Sequence, residues 1–396
     1  MFSCGLVSPT APSLILENIM SFGKKLKKNI LKVQSSTIHH GFPDPRKVKW
    51  VSVGNYAMNK LISGRYTKSF PYGKSIIVGG ESGSGKSLVF ATTAKCAQDD
   101  GAFVFWIDTE NASDQDSYDP TKDFKKTQGK WFKNLGLKVE EDDDFHYTQA
   151  ATIQDVKSII ANIVDSVSSE TDEDNVQPVV VVVDSWTNLM TGKQEKEASS
   201  GKVVGDVGQF AKQLKDTIKQ CTHLVTRRPI LLLGVVHSYE SQDMFKPGEQ
   251  LSGGRGLVYM ASAAFLFQKY KLKAGEAKKE DNSFVKLDTK KVVGTKAVVQ
   301  LFKSRFAKPN ERVTVEMVWP NGLDMSSGLF DLLEEEELIE SVSGQSYKIN
   351  WPEGVAPPKD FPEQFTRKAF KPLAKTIAET LDQVTVPDLM ENTEAA

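Results

Sequence analysis

The residues Gly80-Glu81-Ser82-Gly83-Ser84-Gly85-Lys86-Ser87 fit G-x-x-x-x-G-K-[ST] at every fixed position, the pattern of a phosphate-binding loop. Its glycines let the backbone curl until successive N–H groups and a helix N-terminus face the phosphates. Lys86 is then placed to reach the β- and γ-phosphates of ATP, and Ser87 to ligate Mg²⁺. A Gly/Ser-rich turn is the bland alternative. The flanks argue against it, because Lys74 to Gly79 reads as a buried strand and Leu88 to Ala94 continues at helical spacing. Asp184, after five valines, is the expected second Mg²⁺ ligand, with a capping aspartate as the alternative. Glu110 suits a general base that polarises an attacking water, and Asp108 suits the same task on spacing alone. His237 also ends a strand, where a side chain can touch a γ-phosphate, although a histidine in that place is more often merely hydrogen-bonded.

These groups need a common frame, and the chain supplies one. Short apolar strands run into polar residues four times: Ser75 to Val78 into the glycine loop, Ala102 to Ile107 into Asp108-Thr109-Glu110, Val179 to Val183 into Asp184-Ser185, and Ile230 to Val236 into His237-Ser238. Helical patterns lie between them, at Val156, Ile160, Ile163 and Val167 and at Val207, Phe210, Leu214, Ile218 and Cys221. Strands alternating with helices predict an α/β core, a mostly parallel sheet covered on both faces. Ligands of such sheets sit beyond the carboxyl ends of the strands, where all four polar clusters fall. Further strands are expected at Ala264–Phe267, Phe284–Leu287, Ala297–Phe302 and Val313–Val318, and helices at Gly328–Leu338 and Phe365–Leu381 despite Pro372.

Two stretches read as functional loops. Ser238 to Tyr259 lacks periodicity and mixes Tyr239, Met244 and Phe245 with Lys246 and Arg255 among four glycines. Aromatic tips and scattered cations suit single-stranded nucleic acid, which offers stacking faces and phosphates. Thr191 to Gly205 is likewise polar, with Lys193, Lys196 and Lys202. Plain surface loops are the alternative for both. An amphipathic helix is expected from Leu14 to Val33, its polar face crowded with Lys24, Lys25, Lys27, Lys28 and Lys32.

With 50 basic against 51 acidic residues in 396, the chain has no overall basic field, so any nucleic-acid contact is local. Cys4, Cys96 and Cys221 stand at no metal-ligand spacing and favour a reducing compartment. The longest apolar runs are far too short to span a bilayer, and residues 1–20 show no secretory pattern, so a soluble, cytoplasmic protein is expected. The expected division is an N-terminal segment over 1–50, a core over 51–325 with loops at about 190–206 and 238–260, and a smaller C-terminal region over 326–396.

In this order the phosphate loop, Ile107-Asp108-Thr109-Glu110, Val182-Val183-Asp184-Ser185, His237-Ser238-Tyr239-Glu240-Ser241-Gln242-Asp243-Met244-Phe245, Lys303-Ser304-Arg305 and Gly328-Leu329-Phe330-Asp331-Leu332 resemble the RecA family. Within it they are most similar to the UvsX recombinases of T-even-like bacteriophages, from about residue 35 to about residue 340. The resemblance implies a DNA-dependent ATPase that forms a helical homo-filament on single-stranded DNA and pairs it with double-stranded DNA by strand exchange, in recombination, repair and recombination-dependent replication. A single-strand-binding protein and a recombination mediator would be its partners, and no membrane is involved. It assigns Glu110 rather than Asp108 as the catalytic glutamate, and sets His237 where bacterial RecA has a γ-phosphate-sensing glutamine. Lys303 and Arg305 match paired cations that reach the ATP of a neighbouring subunit, and Trp131 falls where RecA stacks a tyrosine on adenine. The two loops become DNA-binding loops, and the basic N-terminal helix a subunit-docking element. A hexameric helicase on the same core, a small-molecule P-loop kinase and a structural DNA-binding protein with a relic nucleotide site are the competing readings.

Overall fold

A computed structural model of the protein describes Lys32 and residues 48–110, 129–170, 176–201, 208–240, 249–252, 255–273, 292–319 and 321–383. The expected N-terminal helix, Lys32 apart, and the expected strand at Phe284–Leu287 lie outside these residues. Residues from Val48 onward form one unit.

The unit begins with β1 (Trp50–Val51), α1 (Tyr56–Ser63) and β2 (Phe70–Pro71). The alternation read from the sequence follows: β3 (Lys74–Gly80), α2 (Lys86–Asp99), β4 (Phe103–Asp108), α3 (Lys130–Asn134), β5 (Phe145–Gln149), α4 (Ile153–Ser169), β6 (Val179–Asp184), α5 (Gly192–Ser199), α6 (Gln209–Val225) and β7 (Ile230–Glu240). Then come β8 (Glu249–Leu251), α7 (Arg255–Met260), β9 (Ala263–Lys273), β10 (Val292–Ser304), β11 (Arg312–Val318) and β12 (Gly322–Leu323). The main sheet has the order β12-β11-β10-β9-β3-β7-β6-β4-β5, with β8 on the end of β7. From β9 to β5 neighbours run parallel, while β10, β11 and β12 add antiparallel strands at one side.

The five valines of β6 show why this sheet is buried on both faces. Val180 and Val182 join the apolar layer with Phe90 and Ala94 of α2, whereas Val179, Val181 and Val183 join the layer under α4 and α6. Period two along the strand sends alternate side chains to opposite faces, so the all-apolar run needs helices on each. α4 buries Ile153, Val156, Ile160, Ile163 and Val164, and a reciprocal capping box between Thr152 and Asp155 fixes where it starts.

Parallel register brings the motif residues level with one another. Gly80 pairs with His237, and Asp108 with Asp184, so the carboxyl ends of β3, β7, β4 and β6 finish along one edge. This alignment builds the site.

Two expected loops are more ordered than the sequence suggests. Within Thr191–Gly205 the chain forms α5, because Thr191 accepts from the Gln194 N–H and the Gln194 side chain answers at the Thr191 N–H. Within Ser238–Tyr259, β7 continues to Glu240 and pairs with β8 (Ser238↔Leu251, Tyr239↔Gln250, Glu240↔Glu249) before α7 begins. The three-residue β8 and six-residue α7 are too short to raise a periodic signal. Leu251, buried against the sheet, holds the hairpin down.

At the C-terminal side α8 (Leu329–Glu335), a three-stranded sheet of β13 (Ile339–Ser343), β14 (Ser346–Ile349) and β15 (Phe365–Thr366), and α9 (Phe370–Leu381) form a further layer. Phe330 meets Tyr347 and Phe370 edge-on, and the apolar cluster is continuous from Ile76 to Leu381. Pro372 sits in the first turn of α9, where its missing N–H costs no helical hydrogen bond.

Candidate nucleotide-binding site

The phosphate-loop backbone is bent where side chains are excluded. Gly85, with φ +95°, is the residue before α2, and a Cβ there would lie 2.0 Å from the Met317 sulfur. At Gly80 a Cβ would meet the Phe267 carbonyl oxygen at 2.5 Å. Lys86 is buried and donates to the carbonyl oxygens of Gly80 (2.9 Å) and Glu81 (2.7 Å). Burial lowers its pKa, opposed by the charges of Asp184 and Glu110. Such an ammonium is poised for an anion. The Ser84 hydroxyl inside the same loop is buried with no hydrogen-bond partner among the described residues.

Three acids converge beside it. Burial pushes the Asp184 carboxyl up to about 6, partly offset by a hydrogen bond from the Ser87 hydroxyl, with Glu110 and Asp108 adding repulsion. A buried acid facing a serine hydroxyl and two further carboxylates fits a divalent cation, which would relieve that repulsion. Asp108 is otherwise engaged: one oxygen accepts from the Glu110 N–H and the other from the Tyr147 hydroxyl, each at 2.9 Å. Glu110 instead meets His237, Nε2 to Oε1, at 3.0 Å. That hydrogen bond holds Glu110 below the usual carboxylate range against the opposing effect of burial, with help from Ser185 and Lys86. A small residue completes the arrangement. The Thr109 N–H donates to the Asp184 carbonyl (2.8 Å), and its hydroxyl donates to the Ser185 carbonyl (2.6 Å) and accepts from the Ser185 N–H (2.8 Å). Sequence spacing offers no signal for Thr109 or Tyr147, since both act across strands.

A cavity of about 480 Å³ opens over these groups. The phosphate loop, Glu110, Asp184 and His237 line one part, and Trp131, Leu135, Met317 and Trp319 line another. A polar end beside an apolar, aromatic end suits a nucleotide's phosphates and base. Trp131 packs edge-on to Trp106 and Phe132, so its ring is fixed from behind while it faces the cavity.

The remaining sequence-predicted residues fall elsewhere. Lys303 donates to the carbonyl oxygens of Val258 (3.0 Å), Tyr259 (2.7 Å) and Ala261, and Arg305 reaches the Tyr259 carbonyl at 3.4 Å. Both cations thus close the C-terminal end of α7. Burial, then the Arg305 charge, brings Lys303 down to about 8. Tyr239 is half exposed, its hydroxyl donating to Gln250 at 3.3 Å, and the Ser252 N–H donates to the His237 carbonyl at 2.8 Å. Lys193 and Lys196 stand exposed on α5, Lys193 within 3.7 Å of Glu197. Arg255 opens α7, and Lys202, Met244, Phe245 and Lys246 lie outside the described residues. No helix among the described residues is long and apolar enough to cross a membrane.

No protein-family model matches the chain. It is 29% identical over 159 residues to the "Recombination and repair protein" of Enterobacteria phage T4, a stretch that is 40% of this chain and 37% of that protein. It therefore spans little more than a third of the phage relative. To "Protein RecA" of Acholeplasma laidlawii (strain PG-8A) it is 23% identical over 281 residues, 71% of this chain and 72% of the relative. To "Protein RecA" of Limosilactobacillus reuteri (strain DSM 20016) it is 22% identical over 325 residues, 82% and 76% respectively.

Proposed function

We propose that this chain, a RecA-family recombinase, binds ATP with Mg²⁺ in the 480 Å³ cavity and uses it to assemble as a helical filament on single-stranded DNA. The filament then pairs that strand with homologous double-stranded DNA and exchanges strands. One observation carries the reading: His237 hydrogen-bonds Glu110 through its side chain and the returning loop, at Ser252, through its carbonyl oxygen. In this reading the residue that senses the reacting phosphate is also tied to the hairpin that meets DNA.

The roles follow from position. Lys86 and the amides of the phosphate loop hold the triphosphate, and Ser87 and Asp184 hold Mg²⁺. Held by these two residues, Mg²⁺ would offset the negative charge that develops on the phosphates. Glu110, ionised at neutral pH, accepts a hydrogen bond from the attacking water and aligns it in line with the γ-phosphate. His237 holds Glu110 in place and senses the γ-phosphate beside it, which carries the nucleotide state to the β7–β8 hairpin and α7. Trp131 stacks on the base. Lys303 and Arg305 act on the ATP of the neighbouring subunit. Tyr239, Met244, Phe245, Lys246 and Arg255, with Lys193, Lys196 and Lys202, contact DNA. A single-strand-binding protein and a recombination mediator act with the filament, in the cytoplasm of a bacterial host.

The test is steady-state ATP hydrolysis with Mg²⁺, with and without single-stranded DNA, alongside Lys86→Ala. Strong stimulation by DNA that disappears in the variant is expected. Hydrolysis indifferent to DNA would return the chain to a small-molecule ATPase or kinase, and closed rings instead of filaments in electron micrographs would favour a helicase.

A further inference from the structure

We propose that Lys269, on β9, is a positioning residue that sets the phosphate loop for nucleotide, an inference that rests on the ATP site just described. Its ammonium lies 3.2 Å from a Glu81 carboxylate oxygen and donates to the Ser82 carbonyl oxygen at 2.6 Å. Two neighbouring residues of the loop are thus held from a different strand. β9 is well suited to this, because it pairs with β3 up to Gly80↔Phe267, and Lys269 is the next residue on the Phe267 side of the strand.

The consequence lies in the direction of one peptide. Lys86 gathers the carbonyls of Gly80 and Glu81, so the first two peptides of the loop turn their oxygens toward the ammonium. Lys269 draws the next carbonyl, that of Ser82, toward β9. In a trans peptide the N–H points opposite to the C=O, so the Gly83 N–H is turned away from β9. Gly83 lines the cavity. Lys269 therefore fixes the peptide at which the loop stops presenting oxygens and starts presenting N–H groups, the donors that receive phosphate. Gly83, with φ +71°, has open space where a Cβ would stand, so no packing on that side resists rotation of the peptide. The Ser84 N–H to Glu81 carbonyl hydrogen bond (3.3 Å) closes the turn around this peptide but is compatible with either orientation of it, so without Lys269 the site binds phosphate only in the fraction of molecules with the right one.

The experiment uses the full chain and compares Lys269→Met, Lys269→Arg and Glu81→Ala with the unaltered protein. Binding of a fluorescent ATP analogue with Mg²⁺ and the KM and kcat for ATP at saturating single-stranded DNA are measured, with circular dichroism to check folding. Lys269→Met should raise both Kd and KM about tenfold, the loss expected of one charge-assisted hydrogen bond, while kcat changes less than about twofold. Lys269→Arg keeps two donors in reach and should recover most of the affinity. Glu81→Ala should weaken binding a few-fold, as Lys269 loses the partner that steadies it. A Glu81→Ala variant that binds nucleotide more tightly would overturn the proposal, because it would mean that Lys269, once freed, contacts phosphate directly. Unchanged KM in a folded Lys269→Met would also overturn it, as would an Arg variant as weak as the Met variant. Failure of the unaltered protein to bind nucleotide would instead defeat the ATP-site reading itself.

Discussion

Replacing His237 with alanine separates nucleotide binding from its transmission. The imidazole meets Glu110 at 3.0 Å, with the two side chains 33% and 29% exposed. A hydrogen bond to a charged group contributes about 1.5–3 kcal/mol when buried, and this degree of exposure reduces it to about 1 kcal/mol. That corresponds to about a fivefold change in how often Glu110 occupies its held position. His237→Ala should therefore lower kcat without DNA about fivefold. ATP affinity should hold within about twofold, because the Lys86 and loop contacts are untouched. Stimulation by single-stranded DNA should fall toward none, since the side chain proposed to report the γ-phosphate to β7 is gone. The pH profile carries an independent sign. Glu110 is held low first by His237, against burial; with the imidazole removed its pKa rises, and the acidic limb of kcat moves to higher pH. His237→Gln keeps a donor in the same place and should restore most of the coupling. Undiminished DNA stimulation in a folded His237→Ala would refute the reasoning, whatever happened to kcat.

Two further expectations concern acids in opposite circumstances. Asp184→Asn should abolish Mg²⁺-dependent hydrolysis yet stabilise the nucleotide-free protein at pH 7.5 by on the order of 3 kcal/mol, read as a higher urea midpoint. Burial has already raised its carboxyl from 3.8 to about 6, so a stabilising contribution present below 3.8 is lost as pH passes 6, and asparagine removes that loss. A lower midpoint in the variant would contradict this. Asp324 is the converse case: burial raises its pKa, but hydrogen bonds from Lys371 and from the Ser326 N–H and hydroxyl prevail and leave it lowered. Its stabilisation is present above the ordinary carboxylate range and is lost on acidification, so Asp324→Asn should flatten the acid side of the stability profile. Hydrogen exchange in α9, which carries Lys371, should accelerate in that variant at pH 7 and match the unaltered protein in strong acid.

The residues legible in sequence were those whose meaning is local. A phosphate loop is defined by fixed spacing within eight residues, and Asp184 announces itself by following five valines. The frame was legible because apolar runs alternating with helical periodicity leave a parallel sheet as the outcome. Roles that depend on register were not. Asp108 and Glu110 are nearly equivalent by spacing, yet the fold occupies both Asp108 oxygens and aims Glu110 at His237, more than a hundred residues away. Lys269 reads as one cation in a lysine-rich stretch, and only pairing of β9 with β3 brings it to the loop. α5 was hidden for a different reason. It buries none of its residues, so it has no apolar stripe to detect, and its capping box is the one signal it gives.

For the proposed function, the same register limits how ATP could influence DNA binding. β7 lies between β3 and β6 and is matched to both, Gly80 to His237 and Val183 to Gly234. Its apolar residues are buried through Val236, so sliding the strand would unseat side chains on both faces of the sheet. A γ-phosphate therefore cannot signal by moving the strand as a whole. What remains free to respond lies at and beyond the last paired position of β3: the His237 side chain, the short β7–β8 pairing and the six-residue α7. A helix of that length has little stability of its own. Its carbonyls are held by Lys303 and Arg305, which stand at the end of β10, so α7 depends on cations that are themselves expected to serve a neighbouring ATP. In the proposed filament, nucleotide in one subunit and nucleotide in the next would act on the same few residues from two sides, through His237 on β7 and through Lys303 and Arg305 at the end of β10.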